Sequence, residues 1–273
     1  AARRKGPAAG PGQLRFRGAA GPGTGAPKEG SRVRRIARIF LTVTLLMAGA
    51  CGDGTTDDTV AARLPDVSQA SFVDAVDNQF WPLVPGSRWV YEGYDEGDFE
   101  HIEVTVESGR RTVNGVAAIV VKDVVSDDEG VIEDTDDWYG QDSEGNVWYL
   151  GEYSEELDAG EVVSTSGSWE WGIDGAVAGV LMWHDPMASG TEPYHQEFYE
   201  GEAEDVAEVV RQGDTVTVQA GTFENVLVVR EWDPLEPGVA ELKYYAPGVG
   251  LILEEIETGG EARIELISYQ LGG

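Results

Sequence analysis

Histidines, cysteines and paired carboxylates are the side chains from which a catalytic or metal site would be built. Here they are either scarce or too abundant to inform. The three histidines are His101, His184 and His195. None stands in H-E-x-x-H or H-x-H, spacings that bring two imidazoles to one face beside a carboxylate. No G-x-S-x-G turn exposes a serine nucleophile. Walker and dinucleotide-binding glycine loops are also missing from the sequence. Asp and Glu together number 50. A pair of them could serve as acid and base in hydrolysis, but at this density close pairs arise by chance.

Four acidic stretches could offer oxygen ligands to Ca²⁺. They are Asp95-Glu96-Gly97-Asp98, Asp127-Asp128-Glu129, Glu133-Asp134-Thr135-Asp136-Asp137 and residues 202–205. None follows the twelve-residue EF-hand loop, and each reads equally well as a solvated hairpin end. The sequence therefore predicts no catalytic residue, no cofactor and no dedicated metal site. Weak calcium binding at a turn is a subsidiary expectation. A hydrolase acting through acidic residues is the remotest one.

Eight tryptophans offer a different chemistry. Trp81, Trp89, Trp138, Trp148 and Trp232 fall in or beside strand-like segments and read as core. Trp169 and Trp171 are two residues apart, so in a strand they share a face. With Met182 and Trp183 on the adjoining Gly-rich stretch they could line an apolar groove for a lipid or acyl chain. The same four residues also read as a loop's anchor into the core. A sugar-stacking platform is a third reading.

Cys51 is the sole cysteine. It follows an apolar run, Ile39 to Ala50, of 12 residues, preceded by the basic Arg34-Arg35-Ile36-Ala37-Arg38. A bilayer-spanning helix needs about 20 apolar residues, so the run fits the short core of a secretory signal. The layout resembles the bacterial lipoprotein signal, with Ala48-Gly49-Ala50-Cys51 in the place of the lipobox. That resemblance implies a diacylglycerol on the Cys51 sulfur, with Cys51 as the mature N-terminus. Several acyl chains anchor far more firmly than one. The protein is thus expected in the cell envelope, on the extracytoplasmic side of a bacterial membrane. Its partners would be the membrane, through the anchor, and a lipid or a protein.

Residues 1–32 are rich in Ala, Gly, Pro and Arg and lack an initiating Met. They are expected to be an upstream segment, untranslated or disordered, with Val33 as an alternative start. Residues 33–50 would then be the signal peptide. Residues 51–79 read as the lipidated N-terminus and a polar, flexible tether, with a short helix expected around 71–76. The β domain is expected over 80–271.

The charge divides at the same cysteine. The whole chain carries −31, but beyond Cys51 there are nine basic residues against 49 acidic, a net of −40. Nucleic acid is excluded as a partner, since its phosphates demand basic patches. The acids are expected to keep an exported domain soluble. With Cys51 lipidated no thiol remains, so no disulfide supports the fold.

The elements that must position these residues are strands. Ile102, Val104 and Val106 alternate with Glu103, Thr105 and Glu107, a period of two. Asn114-Gly115 is a hairpin signal because both residues tolerate positive φ. Strand-like runs continue through 116–125, 131–141, 147–153, 194–199, 206–210, 215–219, 223–232, 240–245, 251–256 and 262–269, mostly separated by short turns. Residues 172–186 read as a long Gly-rich loop. The fold class expected is all-β: a single antiparallel, meandering, strongly curved sheet of about a dozen strands, forming a half-barrel or barrel.

Four segments carry a wider resemblance. They are Ala220-Gly221-Thr222-Phe223-Glu224-Asn225-Val226, Tyr244-Tyr245-Ala246-Pro247-Gly248-Val249-Gly250-Leu251, Gly145-Asn146-Val147-Trp148-Tyr149-Leu150-Gly151-Glu152, and the opening Pro82-Leu83-Val84-Pro85-Gly86-Ser87-Arg88-Trp89-Val90-Tyr91. Together they resemble uncharacterised bacterial lipoproteins and secreted proteins with a GTF-[ED]-N strand start followed by a YYAPGVG hairpin. The architecture is similar in outline to LolA/LolB-type half-barrels, which hold acyl chains on a concave face. The resemblance transfers no functional residue. The reading is an exported, lipid-anchored, non-catalytic protein that binds an apolar ligand or a protein partner. The alternative is a purely structural or interaction module with a packed core.

Overall fold

The computed structural model describes residues 61–273. Cys51, the expected signal at 33–50 and the upstream segment at 1–32 lie outside the described residues. Three two-residue strands come first: β1 (Phe72–Val73), β2 (Asp77–Asn78) and β3 (Trp81–Pro82). A meander follows, with β4 (Arg88–Asp95), β5 (Asp98–Val113), β6 (Val116–Asp127), β7 (Gly130–Asp142) and β8 (Val147–Asp158). Short β9 (Glu161–Ser164) and β10 (Trp169–Glu170) both pair with β8. Next come β11 (Val177–Met182), β12 (Tyr194–His195) and β13 (Glu197–Phe198). The chain ends with β14 (Val206–Val218), β15 (Gly221–Trp232), β16 (Ala240–Ala246), β17 (Gly250–Thr258) and β18 (Ala262–Gln270). The only α-helix among the described residues is the four-residue α1 (Pro186–Ser189).

The sheet runs β12-β14-β15-β16-β17-β18-β4-β5-β6-β7-β8-β11-β13, with neighbouring strands antiparallel. β18 pairs with β4 from Ala262↔Asp95 to Gln270↔Arg88, which brings the two halves of the chain together. The ends of the path, β12 and β13, are separated in sequence by Gln196 alone. The sheet therefore nearly closes on itself as a barrel, which is the all-β architecture expected from the period-two pattern.

Turn chemistry sets the register. Asn114 and Gly115 adopt φ of 44° and 87°, the primed turn that matches strand twist. At Ala246-Pro247-Gly248-Val249 the Val249 N–H donates to Ala246 O at 3.1 Å, with Gly248 at φ 74°. That is a type II turn, which needs a glycine at its third position. Gly93 serves close approach instead: a Cβ there would lie 2.0 Å from the Arg263 carbonyl on β18.

Inward-facing Trp89, Tyr91, Ile102, Val104 and Val106 build the core on β4 and β5. Both aromatic heads on β4 are satisfied by the β16–β17 turn region. Trp89 Nε1–H donates to Val249 O (2.9 Å) and Tyr91 O–H to Leu251 O (3.1 Å). Trp81 reaches in from β3 and meets Tyr139 and Tyr245 edge-on, at 5.9 and 5.8 Å.

Three segments depart from the periodicity reading. The stretch read as a Gly-rich loop contains β11, which pairs with β8 at Gly179↔Tyr149 and Val180↔Trp148. Its residues are apolar on both faces, and both faces are covered, so no alternation signals a strand. The helix expected near 71–76 is replaced by a 3₁₀ turn at Val67–Gln69, capped by Asp66, and by β1 on the edge of β7. From Arg63 onward the segment assigned to the tether lies on the barrel. Asp77 and Asn78 N–H both donate to Gln141 Oε1, at 2.9 and 3.0 Å.

Candidate functional site

Strand alternation sends a band of carboxyl groups into the barrel. On β7 the run Glu133-Asp134-Thr135-Asp136-Asp137 is not a turn. Residues 133, 135 and 137 point inward and are buried, while Asp134 and Asp136 face outward and pair with Lys122. Asp123 projects inward from β6, Glu152 and Ser154 from β8, Glu231 from β15 and Glu254 from β17. Glu197 on β13 and Asp205, just before β14, complete the band at the place where the sheet closes. These positions read from sequence as solvated acids. The signal that distinguishes them is their parity with buried neighbours: Asp123 shares a face with Val121 and Val125.

One cation stands inside. Lys243 is the only buried lysine or arginine among the described residues. Its Nζ lies 2.8 Å from Glu231 Oε2, 3.0 Å from Glu241 Oε1 and 3.9 Å from Glu254 Oε2. Burial opposes its charge, but the three glutamates together hold its pKa well above the ordinary lysine value.

Asp123, Asp137 and Glu197 have no such counter-charge, and for Asp205 and Glu254 Lys243 offsets burial only in part. Burial first, then Asp137 and Glu133, push the Asp123 carboxyl well above the usual carboxylate range. Burial and Glu152 raise Asp137, against the opposing hydrogen bond from Tyr149. Burial and Asp205 raise Glu197. Burial and Glu241 raise Glu254. Asp233, the residue after β15, is pushed up to about 6, mainly by burial. No hydrogen-bond donor serves Asp123 Oδ1 or Asp137 Oδ2, and the Glu254 carboxyl has the Glu241 carboxyl as its hydrogen-bonding neighbour. An interior with this excess of acceptors is chemically a proton store, since ionised carboxylates at close quarters repel and each proton removes a charge.

Tyrosines link the acids. Tyr149 O–H lies 2.5 Å from Asp137 Oδ1 and 3.0 Å from Glu152 Oε2. Its single proton serves one of them, so the other contact calls for a protonated carboxyl. Tyr139 stacks on Tyr149, centroids 4.9 Å apart and planes at 16°. Below them Thr135 Oγ1–H bonds Ser154 Oγ at 2.9 Å, directly across the β7–β8 ladder.

The four residues proposed to line an apolar groove have separate partners. Trp169 is buried, edge-on to Tyr149 at 5.4 Å. Met182 is buried on β11. Trp171 is half-buried against Phe72 at 6.0 Å. Trp183 is half-buried against Tyr194 at 5.4 Å, with the Arg63 guanidinium 4.9 Å above its ring. Among the described residues no two of these indoles are in ring contact. An apolar cavity exists elsewhere, between Trp81, Leu83, Trp89, Tyr91, Val249 and Leu251, but its volume is about 10 Å³. That is room for about one water, not an acyl chain.

Of the acidic stretches, Asp95–Asp98 is a true turn, with Glu96 at φ 51° and Gly97 at φ 91°. Asp127 caps another, accepting from Glu129 N and Gly130 N. His101 lies on the outer face between Glu92 (3.1 Å) and Glu103 (3.4 Å). His184 sits in an acidic surface cleft with Asp77, Asp142, Glu144 and Asp185. Among the described residues no group of three or more His, Cys, Asp or Glu is arranged to hold a metal ion. No helix among them is long and apolar enough to cross a membrane.

No family model and no curated protein matches the chain. Two solved structures are similar in part. One is a "putative lipoprotein" from Parabacteroides distasonis ATCC 8503, at 13% identity and a TM-score of 0.38, over 72% of this chain and 100% of that one. The other is a "putative exported protein with YmcC-like fold" from Bacteroides fragilis NCTC 9343, at 14% identity and a TM-score of 0.42, over 71% of this chain and 100% of that one.

Proposed function

We propose that this is an exported, lipid-anchored protein of the cell envelope, held on the extracytoplasmic side through Cys51. Its barrel is a non-catalytic module that works through its surface on a protein partner. The observation that carries the location is the order of residues at 34–51: a basic stretch, 12 apolar residues, small residues, then the single cysteine. The burial of Trp169 and Met182 supports a packed module over an acyl-chain carrier. So does the water-sized volume of the apolar cavity.

Native mass spectrometry of the protein, with the anchor released by cleavage after Cys51, tests the packed-module reading. The expected spectrum is the bare chain. A stoichiometric lipid or fatty acid surviving into the gas phase would replace this reading with that of an apolar-ligand carrier.

A further inference from the structure

The barrel closes through the chain itself rather than through a ladder. β12 belongs to one edge of the sheet, paired to β14 at Tyr194↔Ala207 and His195↔Val206. β13 belongs to the other, paired to β11 at Val177↔Phe198 and Ala178↔Glu197. Between them Gln196 spans the gap. Its N–H donates to Asp205 O (2.9 Å), and its Nε2 lies 3.3 Å from Leu181 O and 3.2 Å from Glu231 Oε1. The segment presses directly on β11, where a Cβ at Gly179 would meet the His195 and Gln196 carbonyls at 2.4 Å. On the outside, Arg63 is bridged in parallel to Tyr194, exchanging backbone hydrogen bonds with Pro193 O and His195 N at 2.9 Å.

This narrow seam carries two fully buried acids, Glu197 (0% exposed) and Asp205 (3%), whose carboxyl groups are hydrogen-bonding neighbours. The groups that face them offer little relief. Glu152 and Tyr149 approach from β8, Tyr139 from β7 and Trp169 from β10. Glu231 and Asp233 approach from the end of β15. The fixed cation in reach is Lys243 on β16, already held by Glu231 and Glu241. His195, in the segment itself, lies beside Glu204 and the backbone of Glu197 and Asp205, and burial lowers its pKa, so it does not supply a second cation above about pH 6. β11 and the start of β14 contribute only apolar side chains there.

We propose that residues 194–198 form a proton-held latch. One proton shared between Glu197 and Asp205 keeps the barrel shut, and its loss frees the segment and exposes the acidic interior. A carboxyl and a carboxylate make a strong hydrogen bond, whereas two carboxylates in a dry seam repel. The two-residue pairings on either side are the shortest along the path of the sheet, so the repulsion is relieved there first.

Hydrogen–deuterium exchange of the full chain, corrected for the intrinsic pH dependence of amide exchange, tests this. Between about pH 6 and about pH 9, opening of residues 194–198 is expected to rise, by up to about tenfold per pH unit where the shared proton titrates. The β5–β6 amides should change far less. Glu197→Gln, which supplies a permanent donor, should flatten the seam's slope. Asp205→Asn is the second variant, expected to do the same. A seam with no pH slope in the unaltered chain, or one opening in step with β5–β6, would overturn the latch.

Discussion

Lys243 and Glu231 form a fully buried ion pair, Nζ to Oε2 2.8 Å, on adjacent strands β16 and β15. Each side chain is 2% exposed. The lysine also stands directly opposite Glu254 across β16 and β17. One ammonium thus anchors an interior that is otherwise acidic. Replacing Lys243 by Met leaves Glu231 and Glu254 without a counter-charge. Removing one partner of a buried pair costs about 3–5 kcal/mol. Urea denaturation should give that loss at pH 8 and a smaller one at pH 5, because burial and Glu241 raise the Glu254 carboxyl and make it easier to protonate there. Equal losses at both values would mean that the interior acids do not respond to the missing charge.

The acids reverse the usual dependence of stability on pH. Asp123, Asp137, Glu197, Asp205 and Glu254 all have folded-state pKa values above their unfolded ones. Their stabilisation is complete below the unfolded values, about 4, and is lost as pH rises through the raised folded values. Repulsion among the acids of a segment of net −40 acts in the same direction. The melting temperature should therefore climb steadily from about pH 8 towards about pH 5. A plateau across that range, or a fall towards acid, would contradict the burial of protonated carboxyls.

Tyr149 is the polar hinge of the β7–β8 side. Phe at 149 keeps the stacking on Tyr139 but removes the O–H between Asp137 and Glu152. Leaving a buried acceptor unserved costs about 1–3 kcal/mol. Chemical denaturation of Tyr149→Phe should show a loss in that range, and a neutral result would assign no weight to this hydrogen bond.

Gly93 holds β4 against β18. A methyl group 2.0 Å from the Arg263 carbonyl forces the two strands apart. Overpacking of this kind costs about 1–3 kcal/mol, and more when backbone must move. Gly93→Ala is expected at or above the upper end. Gly97→Ala meets no atom but must hold φ at 91°, so it should lose less, about 1 kcal/mol. Thermal melts of the two variants should rank in that order.

Much of the sheet is readable from residue order. Ile102, Val104 and Val106 alternate with polar residues, and Asn114-Gly115 marks the hairpin. β11 was not readable, because Val177–Met182 is apolar on both faces and set among glycines. The acidic interior was hidden for a related reason. Val120-Val121-Lys122-Asp123-Val124-Val125 places a charge and two valines on each face, so the parity of Asp123 with Val121 and Val125 is informative only once that face is known to be buried, while Lys122 meets Asp134 outside. The closure at Gln196 depends on contacts between residues far apart in sequence, which no local pattern encodes. The two-residue spacing of Trp169 and Trp171, with Met182 and Trp183 on the adjoining stretch, suggests one group, but long-range partners such as Phe72 and Tyr194 separate their rings.

The proposed location depends most directly on the fate of Cys51. The chain, expressed in a bacterium that processes lipoproteins, can be analysed by mass spectrometry of its N-terminal peptide. The expected result is a mature N-terminus at Cys51 with a diacylglycerol thioether, and an unprocessed, unlipidated precursor for Cys51→Ser. A mature chain that begins elsewhere, or carries Cys51 as a free thiol, would contradict it.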